Sequence, residues 1–489
     1  AHGLELRAGP LHVGKSSACA SGLAGYRAHM PQDAVRASVA ELGAAYRSGT
    51  LDPVEVTRAL LDRVAAHPHG HLVYRRVTEE RALRQAEHAA RLFAAGVDLG
   101  PLQGVPVAVK DNLDMAGEVT AAGSKVLLRR PPAPEDAPVL ARLDAAGAVF
   151  VGRTNMTELA YSGVGVNPHF GTPPCALDET RVPGGSSSGT GVAVAAGLAT
   201  VGVGSDTGGS VRIPAAVNGV VGLKTTDGLV PTAGAAPLST TLDTIGPLAR
   251  SCDDVWTLFT AMAAQPYAPL RTPGERLTLL APTTLLRDEL DPEVDTAFTA
   301  ALGLLESLGH EVREAPLPAL AEAPALYRRY GSFASHEALA LYETELRERG
   351  DEMDPRVVKR ILALDGKPAT DYVRLSLARE ALRRAFWPGL AGVDAVVGPT
   401  LPVLPPRVEE LEEDAEYFRL NALMLRNTAP FNVLGCPAAS VPCGRTSGGL
   451  SVGLMVATRP GEEELALGLA KQVEQAVAAG RSRGAQAAR

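Results

Sequence analysis

Residues 183–214 read PGGSSSGTGVAVAAGLATVGVGSDTGGSVRIP, with a glycine-serine turn at each end of one apolar segment. Serine and glycine at this density usually make a flexible linker. The segment between the turns, VAVAAGLATVGVG, is too apolar to lie in water. It reads as a glycine-started helix over SGTGVAVAAG and a strand over ATVGVGSD. The strand is apolar throughout rather than alternating, so it needs cover on both faces. A helix–strand unit can bring its two ends to one edge of a sheet, which would let the two serine turns meet.

The same grammar continues on both sides. GVPVAVKDN, AVFVGRTN and VVGLKTT read as short buried strands, and EDAPVLARLDAAG and GSVRIPAAVNG as helices. PQDAVRASVAELGAAYRSG is amphipathic and stops at a glycine. DPVEVTRALLDRVAAH starts with Asp52 as N-cap and Pro53 as first helical residue. Helix–strand alternation over this length predicts an α/β fold around a mostly parallel sheet. No internal repeat is present. Residues 270–420 are richer in charged helical stretches and read as a helical region over one compact core, with DAVVGPTLPVLPP returning to a buried strand. GLSVGLMVATRPGEEELALGLAKQVEQAV closes the chain as a strand and an acid-started helix. The expected boundaries are an extension at 1–30 (non-native or disordered), one domain at 31–480 and a disordered tail at 481–489.

Composition limits the partners. A formal charge of −8 gives no reason to expect nucleic acid or an anionic membrane, and 4% aromatic residues offer no platform for stacking bases. No apolar run is long enough to cross a bilayer. The five cysteines (Cys19, Cys175, Cys252, Cys436, Cys443) are scattered and odd in number, which reads as free thiols in a reducing compartment. Without CxxC or HExxH, no zinc site is supported.

Three features carry chemistry. SDTGGS ends the strand in a tight turn whose small residues let a substrate carbonyl approach backbone N–H groups, as an oxyanion hole requires. Ser210, at the end of this turn, is the candidate nucleophile. GGSSSG places Ser186 at the other end of the helix–strand unit. Lys110 ends the strand VPVAVK, where open α/β sheets form their sites. Desolvation there would lower its pKa and let the neutral amine act as a base, opposed by Asp111 or Asp114 nearby. GSSSG also fits G-x-S-x-G, but that elbow needs a histidine later in the chain. Only His310 and His336 follow, both in charged helical segments, and His169 in NPHFG reads as a loop residue.

GVPVAVKDN, GRTNMTELA, PGGSSSGTGVAVAAG, GSDTGGSVRIPAAVNGVVGLKTT and LDTIGPLARS together resemble the amidase signature family. NTAPFNVLGCPAASVPCG and GLSVGLMVATRPGEEE extend the match to about residues 35–478, densest at 104–251. The resemblance implies a large mixed sheet flanked by helices and hydrolysis of an amide through an acyl-enzyme, without metal or other cofactor. It implies Ser210 as nucleophile, Ser186 as a bridging serine held by a cis peptide, and Lys110 as base. Thr207, Gly208, Gly209 and Ser210 correspond to the oxyanion turn, and Asp206 and Arg212 to its support. Ala160, Tyr161 and Ser162, after TNM, correspond to substrate-site walls, together with the variable 270–420 region. Ser188 and Thr190 depart from the residues common at their positions but touch no implied catalytic residue. The implied partner is a small-molecule amide, with no nucleic acid bound by the chain alone, no membrane, a cytoplasmic location, and a homodimer as an allowed assembly.

A competing expectation is the glutaminase (A-type) subunit of a tRNA-dependent amidotransferase, which resembles the same family. That subunit usually carries Gln where this chain has Ile213, and KPTYG where this chain has KTTDG, so the general amidase is favoured. A non-enzymatic nucleotide binder built on GVGSDTGG lacks both G-x-G-x-x-G and G-K-[ST].

Overall fold

The structure, a computed structural model, describes residues 34–487, with side chains up to residue 480. The expected extension at 1–30 lies outside the described residues, as do 488–489. One sheet of eleven strands organises the described chain. The strands are β1 (Tyr74–Val77), β2 (Pro106–Lys110), β3 (Val149–Thr154), β4 (Val201–Asp206), β5 (Val221–Lys224) and β6 (Thr244–Ala249). They continue with β7 (Thr278–Pro282), β8 (Glu311–Ala315), β9 (Ala395–Pro399), β10 (Ala438–Arg445) and β11 (Ser451–Ala457). Their order across the sheet is β1-β3-β2-β4-β6-β5-β10-β11-β9-β7-β8.

The sheet is mixed. Parallel pairing is confined to β3-β2-β4 and β9-β7-β8, and the strands between run antiparallel. The continuous apolar runs that suggested a mostly parallel sheet mark burial on both faces: β2 to β6, parallel and antiparallel alike, are buried at every position. One large core cluster joins Val107, Phe150, Val203, Leu223 and Ile245 with Leu454 and Leu467 from the closing strand and helix. Burial of this kind, at roughly 25 cal/mol per Å² of apolar surface, is what holds the two ends of the chain in one body.

Asp52 caps the helix Pro53–Ala66, accepting from Val54 N and Glu55 N. The region 270–420 supplies strands β7, β8 and β9 as well as helices, so it completes the sheet rather than only covering it. The closing helix, Glu463–Ala487, continues past residue 480, where Arg, Ala and Gln are good helix formers. Among the described residues no helix is long and apolar enough to cross a membrane.

Candidate active site

Strands β2 and β4 run parallel and adjacent, so the turn after β4 lies beside the end of β2. Lys110 closes β2, fully buried. Its ammonium donates to Ser186 Oγ at 2.7 Å and Ser205 Oγ at 2.8 Å, with the Ser205 carbonyl at 3.4 Å. Asn112 Nδ2 donates to the same Ser205 hydroxyl at 3.1 Å. Lys110 makes no ion pair among the described residues. The other fully buried lysine, Lys224, meets the Asp227 carboxylate at 3.2 Å and two backbone carbonyls. A hydroxyl environment does not stabilise a cation as a carboxylate does. Burial pushes the Lys110 pKa down to about 7, against the opposing pull of Asp243 and Asp206.

Asp111 is not among those opposing charges. Arg75 and Arg153 hold it: Arg75 Nη2 lies 2.7 Å and Arg153 Nε 2.6 Å from Asp111 Oδ1. The acid beside the lysine in sequence is therefore neutralised by a different neighbourhood, and Asp114 is turned to Thr120.

The first serine turn enters helix Ser188–Ala196. The Gly185–Ser186 peptide bond is cis, the geometry that the resemblance implied. Ser187 N donates to the Ser210 carbonyl at 3.3 Å, which ties the two turns together. The other hydroxyls of the triple serine face backbone: Ser187 Oγ donates to Ser205 O and Ser188 Oγ to Asn155 O. Thr190 Oγ1 pairs with Thr154 Oγ1 at 2.7 Å.

The second turn is fixed from below by Asp206. Its carboxylate accepts from Gly209 N (2.8 Å), Val211 N (3.1 Å), Arg212 Nη2 (2.9 Å) and Asn432 Nδ2 (2.8 Å). Burial alone would raise the Asp206 pKa, but the Arg212 guanidinium and Asn432 hold it well below the usual carboxylate range. Gly209 has φ of 137°, and Thr428 Oγ1 donates to the Gly208 carbonyl at 2.6 Å. With the Gly209 N–H engaged on Asp206, the N–H groups of Thr207, Gly208 and Ser210 have no acceptor among the described residues. Thr207 Oγ1 donates to Asp243, which also accepts from Leu238 N and Ser239 N. Burial pushes the Asp243 carboxyl up to about 6, against these hydrogen bonds and Lys110.

Ser210, Thr207 and Gly208 line a cavity of about 640 Å³, with Ala160, Tyr161 and Ser162 also in its wall. Tyr161 is pinned by its hydroxyl to Ser335 and by the Arg360 guanidinium, 3.9 Å from its ring centroid. Ser162 is engaged on both sides, donating to Asn421 Oδ1 and accepting from Tyr417 OH. Leu285, Tyr327 and Arg328 bring residues 270–420 into the same wall. The histidines stand elsewhere: His169 pairs with Glu158, His310 with Gln472 and His336 with the Tyr330 carbonyl. Sequence reasoning gave no part to Ser205, Asn112, Asp243, Thr428 or Asn432. LDTIGPLARS and NTAPFNVLG, which hold the last three, were already conspicuous as motifs.

Residues 55–467 match the family model described as Amidase. The chain is 36% identical over 465 residues to a 2-amino-5-chloromuconic acid deaminase of Comamonas testosteroni, covering 92% of this chain and 98% of that protein. It is 35% identical to the A-type subunit of the glutamyl-tRNA(Gln) amidotransferase of Symbiobacterium thermophilum, covering 86% and 93%. A crystal structure of an amidase superposes with a TM-score of 0.81 at 35% identity, covering 90% of this chain and 99% of that one.

Proposed function

The chain belongs to the amidase family, and from that premise we propose that Lys110, Ser186 and Ser210 perform its chemistry. The activity is hydrolysis of an amide C–N bond. The observation that carries the residue assignment is the fully buried Lys110 amine, 2.7 Å from Ser186 Oγ, in no ion pair among the described residues and with its pKa pushed down to about 7. A neutral amine there takes a proton from Ser186 as Ser186 takes one from Ser210. Ser210 Oγ attacks the amide carbon, and the carbonyl π pair moves onto oxygen. The N–H groups of Thr207 and Gly208, with that of Ser210, meet the oxyanion; Gly209, expected among these donors, holds the turn through Asp206. Collapse breaks the C–N bond, and the departing nitrogen takes the proton back from Lys110 through Ser186. Water then repeats the sequence on the acyl-Ser210 ester and releases the carboxylate.

Asp206 and Arg212 are structural supports in this reading, and Ala160, Tyr161 and Ser162 form substrate walls. No residue is assigned to a cofactor. The free, buried Cys175, Cys252, Cys436 and Cys443 support a reducing, cytoplasmic location. The chain acts by itself on a small amide, as a monomer or homodimer. Likeness to the amidotransferase component keeps the glutaminase alternative testable: ammonia release from glutamine that depends on added partner chains would establish it in place of a stand-alone amidase.

Ser210→Ala tests the nucleophile. It should abolish amide turnover and leave the unfolding midpoint near that of wild type, since one hydroxyl is removed. A fluorophosphonate should label Ser210 in the wild type, read by peptide mass spectrometry. Substantial turnover by Ser210→Ala, or an adduct on Ser187, would overturn the assignment.

A further inference from the structure

The wall of the Ser210 cavity is mainly apolar, yet its charged members are unbalanced. Arg328, Arg360, Arg419 and Arg426 face one acid, Glu289. Two of the four are engaged in holding the protein. Arg360 donates to the Tyr161 carbonyl at 2.6 Å and lies over its ring, and Arg419 pairs with Glu416. Arg328 is exposed and makes no ion pair among the described residues.

Arg426 is different. It is the last residue of helix Asp414–Arg426, half-buried, and its one hydrogen bond is Nε to Asn427 Oδ1 at 3.1 Å. Nη2 is buried and meets no acceptor among the described residues, and no hydrogen bond from Nη1 is found there either. Burial lowers the Arg426 pKa; Asp288 and Glu289 pull it back up, but neither forms an ion pair with the guanidinium. Its place relative to the chemistry is fixed by its neighbours. Leu425 Cδ2 would lie 3.4 Å from a Cβ placed on Gly208, and Thr428 Oγ1 donates to the Gly208 carbonyl. A guanidinium N–H buried without an acceptor is costly, and a planar anion relieves that cost through paired N–H···O bonds.

We propose that the substrate is a largely hydrocarbon amide carrying a carboxylate, and that Arg426 binds that carboxylate while the amide lies at Ser210. This rests on the reading above that the cavity at Ser210 receives the substrate. The apolar wall takes the hydrocarbon part, and Arg328, exposed in the same wall, adds to the positive field at long range.

The test is a matched pair of amides of one chain length, one ω-carboxylate and the other ω-hydroxy. Wild type should prefer the carboxylate in kcat/KM by about 10- to 100-fold, the value of one charge-assisted contact. Arg426→Gln should bring that ratio close to one. An arginine that only complemented its helix end would lower stability and leave the ratio intact. Calorimetric binding of the same pair to Ser210→Ala reads the preference without turnover. Equal affinities there, or an unchanged ratio in Arg426→Gln, would overturn the inference and leave the amidase reading standing. Preferred binding of the carboxylate with no cleavage of either amide by the wild type would instead uphold the inference and overturn the residue assignment.

Discussion

Lys110 makes the site's pH behaviour predictable. With a pKa near 7 rather than the ordinary 10.5, the neutral amine dominates above neutrality. The kcat/KM of the wild type should rise through an apparent pKa near 7 and stay high on the alkaline side. Lys110→Ala should lose most activity, and Lys110→Arg should be no better, because a guanidinium keeps its proton. The same shift has a thermodynamic sign. Between the folded and unfolded pKa values the unfolded chain binds more protons at this position, so its contribution to stability increases with pH from about 7 toward 10.5. Below 7 the burial penalty is complete and constant. Denaturant titrations at successive pH values should show this slope in wild type and lose it in Lys110→Met. A slope that persists in the variant would assign the titration to another group. Asp243→Asn removes an anion that raises the Lys110 pKa, so the kinetic limb should move to lower pH.

At the scale of the element, the turn after β4 depends on what surrounds Gly209. A methyl group there would come within 2.2 Å of Thr428 Oγ1 and 2.8 Å of Ile213 Cδ1. Gly209→Ala should displace the Thr207–Gly208 peptide groups and cost roughly 10²-fold or more in kcat, the range for loss of an oxyanion donor. Far-UV circular dichroism should stay unchanged; a fully active variant would show that the turn tolerates displacement. This element was legible in the sequence because SDTGGS combines a strand end, a carboxylate and two glycines. Other elements were not. Strand β8 reads EVREA and lies at the edge of the sheet, where none of its residues is fully buried, so it lacks the apolar run that marks a central strand. Ser205 escaped because a small polar residue closing a glycine-rich strand looks like part of the turn. Its side chain takes up Lys110 instead.

Across the whole molecule, the site is closed by residues far apart in the chain. Asn432 Nδ2 reaches Asp206 over 226 positions, and Arg212 Nη2 donates to Asn432 Oδ1 at 2.6 Å. Asn432→Ala leaves Asp206 and Arg212 each short of a buried partner. It should cost about 1–3 kcal/mol of stability and lower kcat as the turn loosens. Chemical unfolding alongside steady-state kinetics would measure both, and a neutral result would detach the closing third of the chain from the turn. That coupling was invisible in the sequence, since NTAPFNVLG and SDTGGS share no spacing rule; only folding makes them adjacent.

The pair of arginines on Asp111 has a consequence for anyone who would move this chemistry elsewhere. The chain places a carboxylate next to its base and then insulates it with Arg75 and Arg153, whose codons lie 35 positions before and 43 after that of Lys110. Transplanting VPVAVKDN into another scaffold would import the acid without its insulation. The graft would carry a lysine that keeps its proton at neutral pH, inert for want of two residues that never touch it.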